Sequence, residues 1–274
     1  MSRKSSGGFP DLRIVSVTDL LLHEEVDLER VARLLDRLSA DGILRNPPIV
    51  ASLPGSDRYL LLDGANRVSA IENLDIPHLL VQVERFDNPA LEVGHWNHVV
   101  RDIEAKGLAE HARSITGLEI HKGDAPPEGC LASFVTADED ATHLVTNAPW
   151  SERVRHLRSI VDIYYKGEAR MDRVNHDDIA TLRDQHPHFG ALVMFPDFAK
   201  DDIRAVAEAG DRLPSGVTRI LVPRRVLGFD LRLPLLKSSL PLEEKRRWLA
   251  EEIQHKVAEH RVRYYQEPTF VFDD

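Results

Sequence analysis

A single cysteine, Cys130, stands among 274 residues. One thiol excludes an intramolecular disulfide and any metal site built on clustered cysteines. No apolar run approaches the roughly 20 residues that a membrane-spanning helix needs. The opening MSRKSSGGFP is polar, with no apolar stretch of the secretory kind, so a cytoplasmic location is expected. Positive charge is in deficit: 35 Lys and Arg stand against 45 Asp and Glu, for a formal net charge of −10. That balance argues against a protein built around nucleic acid, although a local basic patch fits within an acidic total. What is present is a substantial apolar fraction, 42%, over a length that suits one large or two medium domains.

Tyr59 to Ile76, YLLLDGANRVSAIENLDI, is the stretch around which the rest is organised. Tyr59, Leu60, Leu61 and Leu62 form an apolar run of strand length. Asp63-Gly64 marks a turn. Val68, Ala70, Ile71 and Leu74 then recur with helical spacing. Arg67 falls in the first helical turn, where the dipole disfavours a cation unless an anion joins it. Free backbone N–H groups and a guanidinium there suit a phosphate. An ordinary strand–turn–helix with a surface arginine has the same spacing.

Upstream, Leu12 to Val17 predicts a first strand, and Asp27 caps a helix running to about Ala40. Val31, Leu34, Leu35 and Leu38 are its apolar stripe, and Gly42 ends it. Glu24 lies on the loop before that helix, where a glutamate is ordinarily solvated. Asn46-Pro47-Pro48 leads into another strand, and Leu79 to Val83 is a further one. His95 and His98 have a spacing that metal ligands use, but no cysteine or third histidine lies near them in sequence. The character changes beyond Gly107. Strands are predicted at Leu131–Val135, His143–Val145, Ala191–Phe195 and Val217–Val222. Helices are predicted at Leu108–Ile115, from Ser151 past Tyr164, at Asp177–Arg183 and at Asp201–Ala209. Thr218 and Arg219 follow the turn at Gly216, where a hydroxyl and a guanidinium can bind an anion. A β-favouring threonine and an exposed arginine read the same way. Ser239 to Arg263 predicts an amphipathic helix with Leu249, Ile253 and Val257 on its buried side, and Tyr264–Phe272 a closing strand.

Asp63-Gly64-Ala65-Asn66-Arg67 followed by Ala70 resembles the DG-x-x-R-x-x-A motif of the ParB/sulfiredoxin superfamily. The cysteine that sulfiredoxins carry inside this motif is Ala65 here. A ParB-type clamp would need a basic DNA-binding domain, and no such pattern is legible. The stretch Leu213–Lys237, LPSGVTRILVPRRVLGFDLRLPLLK, and the pair His23-Glu24 resemble the siderophore-type free L-serine kinases, at the start, middle and end of the chain.

The resemblance implies phosphorylation of free L-serine to O-phospho-L-serine with ATP or ADP as donor. The product would feed siderophore, 2,3-diaminopropionate or cysteine-type synthesis. It implies a mixed α/β (α+β) fold. Residues 11–105 would form a ParB/sulfiredoxin-like nucleotide-binding domain after a flexible tail at 1–10. Residues 106–274 would form a C-terminal mixed α/β domain, with the active site in the cleft between the two. It also implies site residues. Glu24 would be the base toward the serine hydroxyl. Gly64, Asn66 and Arg67 would lie at the phosphates, and Mg²⁺ near Asp63. Trp96, His98, Thr218 and Arg219 would hold serine. Many family members have histidine where Asn66 stands, and Asn can donate to a phosphate but cannot carry a proton or charge near neutral pH. The expected partners are L-serine and nucleotide, without membrane or DNA; a homodimer is compatible with the chain. The alternative is a ligand-responsive ParB-like transcriptional regulator.

Overall fold

The computed structural model describes residues 9–103, 105–166 and 169–265. The chain begins with β1 (Asp11–Ser16), β2 (Leu20–Leu22), α1 (Leu28–Asp41), β3 (Ile43–Leu44), β4 (Ile49–Ser52), β5 (Tyr59–Asp63), α2 (Ala65–Asn73) and β6 (His78–Arg85). It continues through β7 (Glu92–His95), β8 (Asn97–Arg101), α3 (Ala105–Ala112), β9 (Glu119–Lys122), β10 (Cys130–Val135) and β11 (Ala141–Val145). Then come α4 (Trp150–Tyr165), β12 (Arg170–Val174), α5 (Ile179–Gln185), β13 (Phe189–Met194), α6 (Lys200–Glu208) and β14 (Thr218–Leu221). β15 (Leu231–Arg232), α7 (Leu233–Lys237) and α8 (Leu242–Ala258) complete it.

Two sheets organise these elements. The first has the order β1-β6-β4-β5-β2 and mixes parallel and antiparallel pairs. The second has the order β12-β8-β13-β10-β11-β9 and is antiparallel throughout. This is the mixed α/β fold expected. β5 shows why its sequence is so uniformly apolar. Leu61 faces the core shared with Val31, Leu38, Val68 and Ile71, whereas Leu60 and Leu62 face a second core continuous with Phe134, Leu157 and Val193. A strand covered on both faces reads as a run, not as an alternation. Each such leucine contributes roughly 1.5–3 kcal/mol of burial.

The chain leaves the first sheet after β6 and enters the second already at β8, ahead of the boundary expected near residue 105. It then returns: Phe229, Leu231, Leu233, Leu236 and Leu249 pack into the core of the first sheet. Gln82 holds the returning segment, donating to Arg224 O and accepting from Val226 N–H at 2.8 Å each. Asn46 accepts from Gly228 N–H at 2.9 Å.

Other expectations need correction. The last helix is shorter than Ser239–Arg263. Pro241 is its cap, because Lys245 Nζ ties down the preceding turn through Leu236 O and Ser238 O. Its end is closed by Arg261 N–H on Lys256 O and by His260 in a left-handed conformation. Val257 is 49% exposed and does not pack in the core. β2, β3, β7, β8, β9, β12 and β15 were not predicted, most being very short or rich in polar residues. Tyr264 and Tyr265 have no regular structure, and residues 266–272 of the expected closing strand, like residues 1–8 of the tail, lie outside the described residues. No described helix is long and apolar enough to cross a membrane.

Candidate active site

The loop after β2 and the loop before β14 lie side by side. Leu213 N–H donates to His23 O at 2.7 Å, and Glu25 N–H donates to Leu213 O at 2.8 Å. This pairing seats the Glu24 carboxylate on the turn at Gly216. Oε2 accepts from Gly216 N–H at 3.1 Å, and Oε1 from Thr218 N–H at 2.7 Å and from the Thr218 hydroxyl. Glu24 is thus a carboxylate oriented by three donors from a loop almost two hundred residues away in sequence.

Gly216 has φ +80°, and a Cβ there would meet the Arg173 guanidinium at 2.1 Å. Arg173 reaches this point from β12, where it pairs in register with His98. Burial pushes Arg173 below its ordinary pKa and Arg30 adds to that, while Glu24 and Asp27 work against it. It remains charged and faces Glu24.

His98 has no exposed surface, and both ring nitrogens are engaged: Nδ1 with Tyr164 Oη at 2.7 Å and Nε2 with Gly216 O at 2.9 Å. The carbonyl can only accept, so Nε2 donates and Nδ1 accepts from the tyrosine. Burial pushes His98 down to about 4. It presents no surface for the serine contact that the resemblance implies, and it is bonded instead to the turn that holds Glu24. A stability consequence follows. The unfolded chain protonates this histidine near pH 6.5 and the native state does so near pH 4, so stability falls as pH drops through that interval. The loss is about 3 kcal/mol if fully expressed. Urea unfolding at a series of pH values should show a shallower acid dependence in His98→Gln than in the wild type.

Trp96 and Arg219 are brought together beside this turn. The guanidinium lies 4.9 Å from the indole centroid, and the Trp96 backbone N–H donates to Val217 O. β14 and β7 set this pair, with Thr218 opposite His95 and Arg219 opposite Gly94. His95 itself bonds Asp197 at 2.8 Å. His95 and His98 therefore do not converge, and among the described residues no group of three His, Cys, Asp or Glu could hold a metal ion.

The phosphate-like turn is joined to this cluster by two hydrogen bonds. His23 Nδ1 bonds Leu61 O at 2.7 Å, and Asn66 Oδ1 accepts from Asp27 N–H at 2.9 Å. Asn66 thus spends its carbonyl on the cap of α1 and keeps its amino group for another acceptor. Gly64 begins α2 with φ +102°, where a Cβ would meet Arg67 and Pro48 at 3.0 Å. Arg67 folds back beneath the turn, donating to Asn46 O and to Asp63 Oδ2 at 2.8 Å each. Arg225, carried in by the returning segment, donates to the same Asp63 oxygen at 2.7 Å. Burial would raise the Asp63 pKa, but Arg67 and Arg225 outweigh it and hold the carboxyl below its ordinary range.

Three residues thus join the site that the sequence reading did not assign: His23, Arg173 and Arg225. Arg173 left no signal, being one arginine in an unremarked strand. Arg225 was visible only as local charge.

No family model matches the chain. An ATP-dependent L-serine kinase of Desulfurococcus mucosus is 33% identical over 225 residues, covering 77% of this chain and 85% of its own. The ATP-dependent L-serine kinase SbnI of Staphylococcus aureus is 24% identical over 239 residues, covering 86% and 88%. Its C-terminally truncated structure superimposes with TM-score 0.71 at 20% identity, over 90% of this chain and 97% of that one. A free serine kinase solved in complex with AMP has TM-score 0.69 at 16% identity, over 85% and 98%. At such identities the structures speak for the fold, and the Desulfurococcus relative speaks for descent: this chain belongs to the family of free L-serine kinases.

Proposed function

We propose that this protein transfers the terminal phosphoryl group of ATP to the hydroxyl of free L-serine, giving O-phospho-L-serine. The observation that carries the site assignment is the Glu24 carboxylate, aimed by the Gly216–Thr218 turn and tied through His23 and Asp27 to the Asp63–Arg67 turn. The nucleotide phosphates lie over Gly64, at the N-terminus of α2, where backbone N–H groups are unpaired by the helix. Arg67, Arg225 and the Asn66 amino group supply further donors. Asp63, held ionised, fits a Mg²⁺ that arrives with the nucleotide, since one carboxylate plus phosphate oxygens and water is a common magnesium set. Such an ion would neutralise charge on the phosphates. Serine lies against Trp96 and Arg219, with its hydroxyl toward Glu24, which accepts the proton. Thr218 and Arg173 orient that carboxylate. Nucleotide is thus assigned to the first sheet with its returning segment, and serine to the border with the second.

We place the reaction in the cytoplasm, where ATP and free serine meet. The product carries a phosphate leaving group on Cβ. That suits replacement chemistry of the kind that yields diaminopropionate or cysteine.

The deciding experiment incubates the protein with Mg²⁺, L-serine and each of ATP and ADP in turn, and looks for phosphoserine by mass spectrometry. Formation with neither donor would sink the reading. Glu25→Gln is the internal control. Its carboxylate lies 3.8 Å from Arg158, which also holds Asp211 at 2.7 Å, and takes no part in the Gly216 turn. Its turnover should stay within about twofold of wild type, the scale of a surface ion pair. Duplex DNA should bind weakly and without sequence preference, with affinity falling steeply as salt rises. Tight, selective binding in an anisotropy titration at physiological salt would favour the ParB-like regulator.

A further inference from the structure

Three hydrogen bonds run in line through the heart of the site. Leu61 O meets His23 Nδ1 at 2.7 Å, His23 Nε2 meets Thr218 Oγ1 at 3.0 Å, and Thr218 Oγ1 meets Glu24 Oε1. Each bond needs one proton. The Leu61 carbonyl can only accept, so Nδ1 carries a hydrogen. A neutral His23 then has none on Nε2. Thr218 has one hydroxyl hydrogen and two neighbours, Nε2 and Oε1, that could both accept it. With His23 neutral and Glu24 ionised, the line holds two protons for three bonds. The proposed reaction releases one proton, at Glu24.

We propose that Glu24, Thr218 and His23 accept the serine hydroxyl proton as a unit, with His23 Nε2 as its destination. This rests on the kinase reading with Glu24 as base. The serine Oγ–H bond breaks as the Oγ–P bond forms, and the P–O bond to the leaving nucleoside diphosphate breaks with its electron pair going to that oxygen. The proton joins the Glu24 carboxylate at Oε1, as the Thr218 hydroxyl turns its hydrogen from Oε1 toward His23 Nε2. The carboxyl group then gives a proton to Thr218 Oγ1 while Thr218 gives its own hydroxyl proton to Nε2. Glu24 is a carboxylate again, His23 is an imidazolium, and all three bonds are filled. No other reactant is required.

The surroundings suit this. His23 is 4% exposed and Thr218 7%, so bulk water does not compete along the line. Oε1 already accepts twice from Thr218, and Oε2 accepts from Gly216 N–H with a lone pair to spare. The bond from Gly216 holds the carboxylate in place while Oε1 takes up the serine proton. Arg173 of β12 is electrostatically coupled to Glu24, and also to Arg30 and Asp27 at the start of α1 and to Tyr165 at the end of α4. Its positive charge favours the arrangement in which Glu24 is restored as carboxylate. His98 reaches the line only through the Gly216 carbonyl. His23 touches no substrate and acts through Thr218 and Glu24.

The test uses the full chain with ATP and serine, following phosphoserine in a single turnover across pH and across H₂O/D₂O mixtures. His23→Asn keeps a donor for Leu61 O and removes Nε2. Thr218→Val removes the hydroxyl at nearly constant shape, and Thr218→Ser retains it. Wild type and Thr218→Ser should give curved proton inventories, with more than one proton in flight. His23→Asn and Thr218→Val should give linear ones, with an altered acid limb and turnover lower by roughly a hundredfold, the low end for proton-transfer catalysis. KM for ATP should not move. The double variant should lose no more than the worse single, because both break one line. Should His23→Asn not fold, the Thr218 pair decides alone. Unchanged inventories and pH profiles, or losses that multiply in the double variant, overturn the relay. A silent Glu24→Gln would instead remove the base reading, whereas a collapse in Glu24→Gln beside a wild-type inventory in Thr218→Val removes the relay only.

Discussion

Glu24→Gln should lower kcat by roughly 10²–10⁴, the usual contribution of a general base. Serine's hydroxyl is a weak nucleophile, and a neutral amide cannot take its proton. The geometry adds a second cost. Glu24 accepts from backbone N–H groups at both oxygens, Gly216 at 3.1 Å and Thr218 at 2.7 Å. A glutamine must turn its amino group toward one of them, placing donor against donor. The turn that positions Thr218 would shift, and KM for serine should rise with the fall in kcat. Nucleotide affinity should change little, because the carboxylate bonds the Gly216–Thr218 turn and not the groups of the Asp63–Arg67 turn. A loose transition state would soften the effect on kcat, since proton removal then comes late. Steady-state kinetics of Glu24→Gln beside Glu25→Gln checks this. Near-normal turnover in the first, or collapse in the second, would move the base to another residue.

Arg67→Ala should weaken nucleotide binding by roughly 1.5–3 kcal/mol, the scale of a hydrogen bond to a charged group. That is roughly 10- to 150-fold in Kd. Arg67 does two things at once. It presents positive charge beside Gly64, and it braces the turn by spanning Asn46 O and Asp63. Without it, Asp63 keeps Arg225, but Asn46 O loses its donor. Arg67→Lys restores the charge but cannot span both partners, so it should recover only part of the affinity. Calorimetric titration with ATP, on variants whose melting shows that they fold, separates binding from stability. Unchanged affinity in folded Arg67→Ala would put the phosphates elsewhere.

The strand–turn–helix at Tyr59–Asn73 was legible because its signals are local. An apolar run, an Asp-Gly turn and a helical stripe each follow from a few neighbouring residues. The α1 cap was legible for the same reason: Asp27 accepts from Arg30 N–H as its position implied. The pairing of Glu24 with Thr218 was not visible as a contact. Both had been placed in the site by resemblance, but the hydrogen bonds between them close a loop of 194 residues, and no periodicity encodes that. The burial of His98 was hidden for a related reason. A spacing of two puts Trp96 and His98 on one face of an extended segment, and which of them is buried depends on what packs above. Here Tyr164 and Gly216 close over the imidazole.

By itself, then, the sequence determined the local pieces: the phosphate-like turn with Gly64 and Arg67, the capped helix after Glu24, the acidic surface, and a chain without disulfides. The tertiary structure alone decided which pieces meet. It brought the Gly216 turn onto Glu24, Arg173 onto Gly216 and Arg225 onto Asp63. It also left His23, a neighbour of Glu24 in sequence, to reach it in space through the hydroxyl of Thr218. The physical reason is that turns and caps are set by bonds within a few residues. The orientation of a half-buried carboxylate is set by whichever distant donors the packing of two sheets leaves facing it, and that is a property of the whole fold.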